Sequence, residues 1–225
     1  MNMIQTFKDR INHYWADLKV HDAYNRMILE GTATPEMVSK FLVNIYYLVE
    51  HTPIHLGKAI KVAEDRGFDE LAAFYRLKLK EEQGHDKWAE ADFEKINKNR
   101  GNQLHDQSID PTMKVYVEFI EDIIDQDPHL YLAYIFFAEY LCVICGPEMV
   151  DGLEQKCGFP AKSMTIIENH AELDKDHVNE WQETIASLVD LNTYEAKFLT
   201  VLDQTIQLHR DFFSSIKKGQ LDGAA

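Results

Sequence analysis

Near the C-terminal end of the chain His170, Asp174 and His177 stand at i, i+4 and i+7. At about 100° per helical residue they fall within an arc of roughly 60°. Ile166, Ile167, Trp181, Ile185 and Leu188 share that arc, so two imidazoles and a carboxylate occupy the stripe that should face a core. Burying such groups together is costly unless they are paired, hydrogen-bonded or bound to a metal. Coordination satisfies all three at once, and a neutral His–Asp–His hydrogen-bond ladder is the alternative.

Three other segments carry the same anomaly. In EEQGHDKW, His85 lies on the stripe formed by Leu71, Phe74, Tyr75, Ala89, Phe93 and Ile96; Glu82 shares it, and Glu81 is turned to its flank. A solvated E-E-x-x-H face is the competing reading. Glu139 is the one formal charge in YLAYIFFAEYLCVICG and shares a face with Leu132, Ile135, Phe136 and Val143. A carboxylate there is driven towards its neutral form unless a cation compensates it. Glu50 lies with Val43, Tyr46, Tyr47 and Ile54 and is a further candidate, whereas His51 and His55 are turned away and read as surface or boundary residues. Lys78, two turns before His85, either anchors a substrate carboxylate or snorkels to the surface. Carboxylates and imidazoles on four inward stripes make an oxygen- and nitrogen-rich site that suits iron or manganese.

Cys142 and Cys145 form a C-x-x-C, but inside an apolar run rather than at an exposed helix start, so they and Cys157 read as thiols of the core. No thiolate cluster signals zinc or an iron–sulfur centre.

Helices must position these groups. Thr34-Pro35-Glu36, Asp110-Pro111 and Asp127-Pro128 each place a capping side chain before proline at the first helical position. The pattern predicts an all-α bundle of seven or eight helices, at 2–18, 35–57, 69–97, 111–126, 128–145, 147–156, 162–189 and 193–218. Pro53 is expected to kink the second near Glu50. No linker divides the 225 residues, which predicts one domain with a disordered tail of a few residues. A formal charge of −15 argues against nucleic acid and anionic membranes as partners. Neither a signal peptide nor a membrane span is read, so the expected location is the cytoplasm.

Glu82 with His85, then Glu139, then His170-x3-Asp174-x2-His177 together resemble the haem-oxygenase-like di-iron oxidases and oxygenases, over about His21 to Trp181. That resemblance implies a haem-oxygenase-like bundle binding two iron ions, with manganese as an alternative metal and dioxygen as co-substrate. It further implies a small-molecule substrate, an external electron donor and a homodimer. By the same resemblance Tyr24 matches a functional tyrosine of one branch of the family, while Lys78 stands where that branch has a glutamate; Glu82 at the E-x-x-H spacing takes over the ligand role. This departure favours an enzyme that turns over an external substrate, with Tyr24 and Lys78 beside it. An amino acid or similar small carboxylate is the expected substrate, because Lys78 and Arg76 lie near the site helix. A fatty acid is the rival, and a metal-free thiaminase-like hydrolase is the alternative of another class.

Overall fold

The structure is a computed structural model and describes residues 3–98 and 100–221. The expected helix start at residue 2 and the tail at 222–225 lie outside these. Among the described residues the chain forms nine α-helices and no strand: α1 (Met3–His21), α2 (Ala23–Leu29), α3 (Pro35–Asp65), α4 (Asp69–Glu82), α5 (Asp86–Asn97), α6 (Pro111–Gln126), α7 (Tyr131–Asp151), α8 (Thr165–Leu188) and α9 (Leu191–Leu221).

The starts of α3 and α6 follow from their sequence. Thr34 and Asp110 each accept a hydrogen bond from a backbone N–H of the first turn, and Pro35 and Pro111 stand where the missing N–H costs nothing. Asp22 caps α2 in the same way, a short helix that the hydrophobic pattern left unread.

Three expected boundaries change. The single helix over 69–97 breaks, because Gly84 takes a φ of +88°, which glycine adopts at no steric cost. The break turns the chain between Glu82, the last residue of α4, and His85, which precedes α5. Conversely α7 runs on through Pro147 to Asp151 and passes into a π-helical turn, Gly152–Lys156. Helix α3 likewise continues past Pro53 to Asp65. In the turn before that proline, His51 Nδ1 donates to the Tyr47 carbonyl at 2.7 Å and Thr52 Oγ1 to that of Leu48 at 3.4 Å.

Helix α7 is the centre of the bundle. The segment Pro128–Lys156 is long and apolar enough to cross a membrane by composition, yet 67% of its most apolar window is buried inside the protein. Its tightest neighbour is α8. A Cβ added at Gly146 would come within 2.7 Å of the Ala171 methyl, so glycine sets how closely these two helices approach. Asp92 of α5 anchors the start of α8: its carboxylate, 1% exposed, accepts from the Ile166 N–H at 2.9 Å and from Thr165 Oγ1 at 2.8 Å. These contacts bring one face of α8 against α4, α5 and α7.

Candidate metal centre

Six of the seven candidate ligands converge in two groups. Glu82, His85 and His170 form one, and Glu139, Asp174 and His177 the other; within each, the donor atoms lie within 4.8 Å of one another. In the first, His85 Nδ1 is 3.0 Å from Glu82 Oε2 and 3.1 Å from His170 Nε2, and the latter is 3.7 Å from Glu82 Oε2. His170 Nδ1 lies 2.7 Å from the Ile166 carbonyl. Donating a proton there from Nδ1 fixes the ring so that Nε2 faces the group. Trp88 stacks on the His85 ring with centroids 4.0 Å apart.

In the second group His177 Nδ1 is 3.4 Å from both Glu139 Oε1 and Asp174 Oδ1. It is buried without a well-formed hydrogen bond. Glu139, 6% exposed, accepts at Oε1 from Lys78 Nζ at 2.8 Å and at Oε2 from the Trp181 indole N–H. Lys78 also pairs with Glu81 at 3.1 Å, and Glu81 stands 3.7 Å from His177 Nε2.

The charge balance shows what is being compensated. Burial pushes the Glu82 carboxyl up, but hydrogen bonds from His170 and His85 outweigh it and hold the group well below the usual carboxylate range. Burial pulls His170 down, and Glu82 more than restores it, so its pKa is raised. Asp174 and Glu139 together lift His177 to about 10. Burial raises Asp174 outright, whereas His177 and Lys78 bring Glu139 below its ordinary value despite burial. The imidazoles and Lys78 thus stand where they compensate the buried carboxylates, as a cation between those carboxylates would. Three carboxylates and three imidazoles with an orphaned ring nitrogen among them fit iron, and this hard, mixed donor set matches none of the thiolate-based alternatives.

The remaining candidates fall elsewhere. Glu50 is exposed and receives the Tyr46 hydroxyl at 3.3 Å, outside both groups. The buried face of α3 moves from Val43 and Tyr46 to His55, Leu56 and Ala59 across Pro53, leaving Glu50 on the solvent edge. His55 is the reverse case: expected at the surface or its boundary, it is 1% exposed, and burial lowers its pKa to about 3. Tyr24 is fully buried, stacked on Phe41 at 5.5 Å with Phe213 at 5.6 Å, behind the cavity described below and not among the residues that line it. Lys78 does not snorkel; it is 6% exposed and held by Glu139 and Glu81. Arg76 is at the surface, paired with Glu64. Trp181, Trp88 and Asp92 support the site without having been singled out, because apolar rings on an inward stripe and a buried acid outside a motif carry no separate sequence signal.

Glu82, Glu139, His170 and Asp174 open onto an interior cavity of ≈ 160 Å³ whose walls are largely apolar, with Ile45, Leu48, Val49, Ile135, Leu141 and Ile166 among them. Cys142 also lines it; burial first, and then the neighbouring thiol and carboxylates, push its pKa well up. Cys145 is raised to about 12 by burial.

Comparison with solved structures agrees with this architecture. A domain of unknown function with a haem-oxygenase-like fold from Shewanella denitrificans superposes with a TM-score of 0.85 at 16% identity, over 98% of this chain and 94% of that one. The haem oxygenase of Leptospira interrogans gives 0.72 at 16% identity, over 96% and 100% of the two chains. A CADD-like protein from Nostoc punctiforme gives 0.68 at 11% identity, over 93% and 98%. At these identities the likeness is one of fold. No curated protein matches the sequence significantly. The sequence profile of a family described as iron-containing redox enzymes matches residues 39–207, so this chain belongs to the haem-oxygenase-like family of iron-containing redox enzymes.

Proposed function

We propose that the protein is a non-haem di-iron oxidase or oxygenase that acts on a small molecule with a largely apolar body, an aliphatic carboxylic acid before an amino acid. The observation that carries this reading is the pairing of two carboxylate–imidazole groups with an apolar cavity at their side. Glu82, His85 and His170 would hold one iron, and Glu139, Asp174 and His177 the other. When bound, the iron supplies the binding and reductive activation of dioxygen, with electrons from an external donor.

The chain's own residues have definable tasks. The Ile166 carbonyl keeps His170 in the tautomer that presents Nε2, and the Trp181 indole fixes the rotamer of Glu139. Lys78 holds the other oxygen of Glu139, so this carboxylate stays oriented and charged within the apolar wall. The largely apolar lining excludes water from the reacting region, and Glu82, Glu139, His170 and Asp174 mark the end of the cavity at which the substrate's polar head would meet the metal.

The amino-acid reading depended on Lys78 and Arg76 as free cations for a carboxylate. Both are engaged, Lys78 with Glu139 and Glu81, and Arg76 with Glu64, which favours the fatty-acid alternative. A metal-free hydrolase would need a nucleophilic thiolate. The raised pKa of Cys142 and Cys145 keeps both thiols protonated near neutrality and speaks against that reading.

The test is anaerobic loading with ferrous iron, metal counting, and optical spectra on exposure to dioxygen, in the wild type and in His177→Ala. About two irons per chain and an oxygen-dependent absorption change that the variant loses are expected. Absence of specific iron binding would overturn the proposal.

A further inference from the structure

A histidine outside the metal centre also faces the cavity. His209 of α9 lines it, whereas the groove on the outer surface between α1 and α9 includes Tyr14, Ile206 and Arg210 but not His209. The ring is half-buried, and its exposure is therefore to the interior. It packs edge-on against Phe137 at 5.4 Å and Tyr116 at 6.2 Å between centroids, and both of these line the same cavity.

Tyr14 determines which ring nitrogen carries the proton. Its hydroxyl lies 2.7 Å from His209 Nδ1. Burial pushes the tyrosine pKa well above its ordinary value and pulls that of the histidine down to about 3, so the hydroxyl keeps its proton and the ring is neutral. Among the described residues Nδ1 is the only hydrogen-bond partner of that hydroxyl, so donation to Nδ1 is the arrangement that leaves no buried O–H orphaned. A neutral imidazole that accepts at Nδ1 carries its proton on Nε2. His209 thus holds an N–H donor that no described acceptor meets.

The wall around this donor is polar without being charged. Arg210 lies 5.2 Å over the Tyr14 ring and is paired with Asp17. Burial first, and then the hydroxyls of Tyr134 and Tyr14, push the Tyr116 pKa well up and keep it protonated. A carboxylate set against His209 would be desolvated without a counter-charge, and an ammonium would bring no acceptor. An uncharged carbonyl or ether oxygen accepts from Nε2–H at neither cost. Size limits the ligand further: a dry cavity of about 150 Å³ takes one molecule the size of benzene, and this one is ≈ 160 Å³.

We propose that His209 is a substrate-binding residue that donates from Nε2 to an uncharged carbonyl or ether oxygen, with Tyr14 as the positioning residue that holds its tautomer. The substrate is then a short aliphatic acid with such an oxygen in its chain. This rests on the reading of the cavity as the substrate site given above.

The test is anaerobic calorimetric titration of the iron-loaded, full-length protein with cyclohexanone and with methylenecyclohexane, which has a methylene group in place of the carbonyl oxygen. Wild type, His209→Phe and Tyr14→Phe are compared, with folding of each checked by circular dichroism. In His209→Phe the ketone loses the donor for its oxygen and should bind about tenfold more weakly, while the hydrocarbon binds as before. Tyr14→Phe frees Nδ1 to take the proton and should weaken the ketone in the same sense by a smaller factor. The infrared C=O stretch of the ketone bound to the wild type gives a reading independent of either variant's stability, and is expected below its position in hexane. Equal weakening of both ligands, a ketone affinity untouched by both substitutions, or a C=O stretch at its hexane position would overturn the assignment. Failure of both ligands to bind the wild type would overturn the subsite and leave the metal centre, which the iron-loading experiment tests, standing.

Discussion

Lys78 Nζ lies 2.8 Å from Glu139 Oε1, a buried ion pair in which both side chains are more than nine-tenths enclosed and the carboxylate is also a candidate metal ligand. The lysine therefore occupies electrostatically the place that a metal ion would share.

Replacing it separates the two roles. In Lys78→Met the metal-free protein keeps a buried carboxylate with only His177 and the Trp181 indole beside it, and thermal or urea unfolding is expected to show a loss of about 1–3 kcal/mol, below the about 3–5 kcal/mol of a fully unpaired buried charge. With ferrous iron bound, the metal compensates Glu139, so most of that loss should disappear. Equal destabilisation with and without iron would mean that Glu139 is not a ligand.

Trp181 tests the other oxygen of the same group. Its indole is 2% exposed and donates to Glu139 Oε2. In Trp181→Phe the carboxylate is free to rotate, and iron affinity is expected to fall by about 10–100-fold, the range for loss of a group that orients a ligand. The measurement is competitive titration against a chelator. Iron bound as tightly as in the wild type would show that Lys78 alone orients Glu139.

How far the site could be read from sequence depended on whether its residues sat on an unbroken helix. His170, Asp174 and His177 are legible because α8 is regular across them and helical periodicity maps spacing directly onto a face. Glu139 is legible as the sole charge in an apolar run. The spacing of Glu82 and His85 suggests one continuous helical face, but Gly84 interrupts the helix, and the His85 ring reaches Glu82 from the far side of a turn. Glu50 was misplaced because a helix of 31 residues presents different stripes to different neighbours, and Ile54, assigned to its buried face, is 56% exposed. The pairing of Lys78 with Glu139 spans 61 residues, and no local pattern encodes it.

The closeness of α7 and α8 is a third point of control. At Gly146 a methyl would overlap the Ala171 side chain and press on Ile167 Cγ2 at 3.3 Å, and neither neighbour is the flexible end of a long side chain. Gly146→Ala is expected to cost about 1–3 kcal/mol through overpacking. The two helices carry Glu139 on one side and His170, Asp174 and His177 on the other, so pushing them apart should also lower iron stoichiometry. Thermal unfolding and metal counting on the same samples check both effects. A stable variant binding a full complement of iron would show that the helices can separate without disturbing the ligands.

His55 gives the fold an acid sensitivity independent of the metal centre. Burial, and secondarily His51 and Lys58, lower its pKa to about 3, whereas an unfolded histidine titrates near 6.5. Between those values the unfolded chain binds a proton that the folded chain refuses. The contribution is complete above about pH 6.5 and is lost as the pH falls towards 3, at up to about 1.4 kcal/mol per unit. In His55→Gln the Nε2 position, 4.0 Å from Glu121, keeps a polar atom without a titrating one. Urea unfolding from pH 7 to 4 should therefore show a shallower decline for the variant than for the wild type, by close to one proton's slope. Parallel curves would mean that the folded protein accommodates a protonated His55, with Glu121 closing on it as its counter-ion.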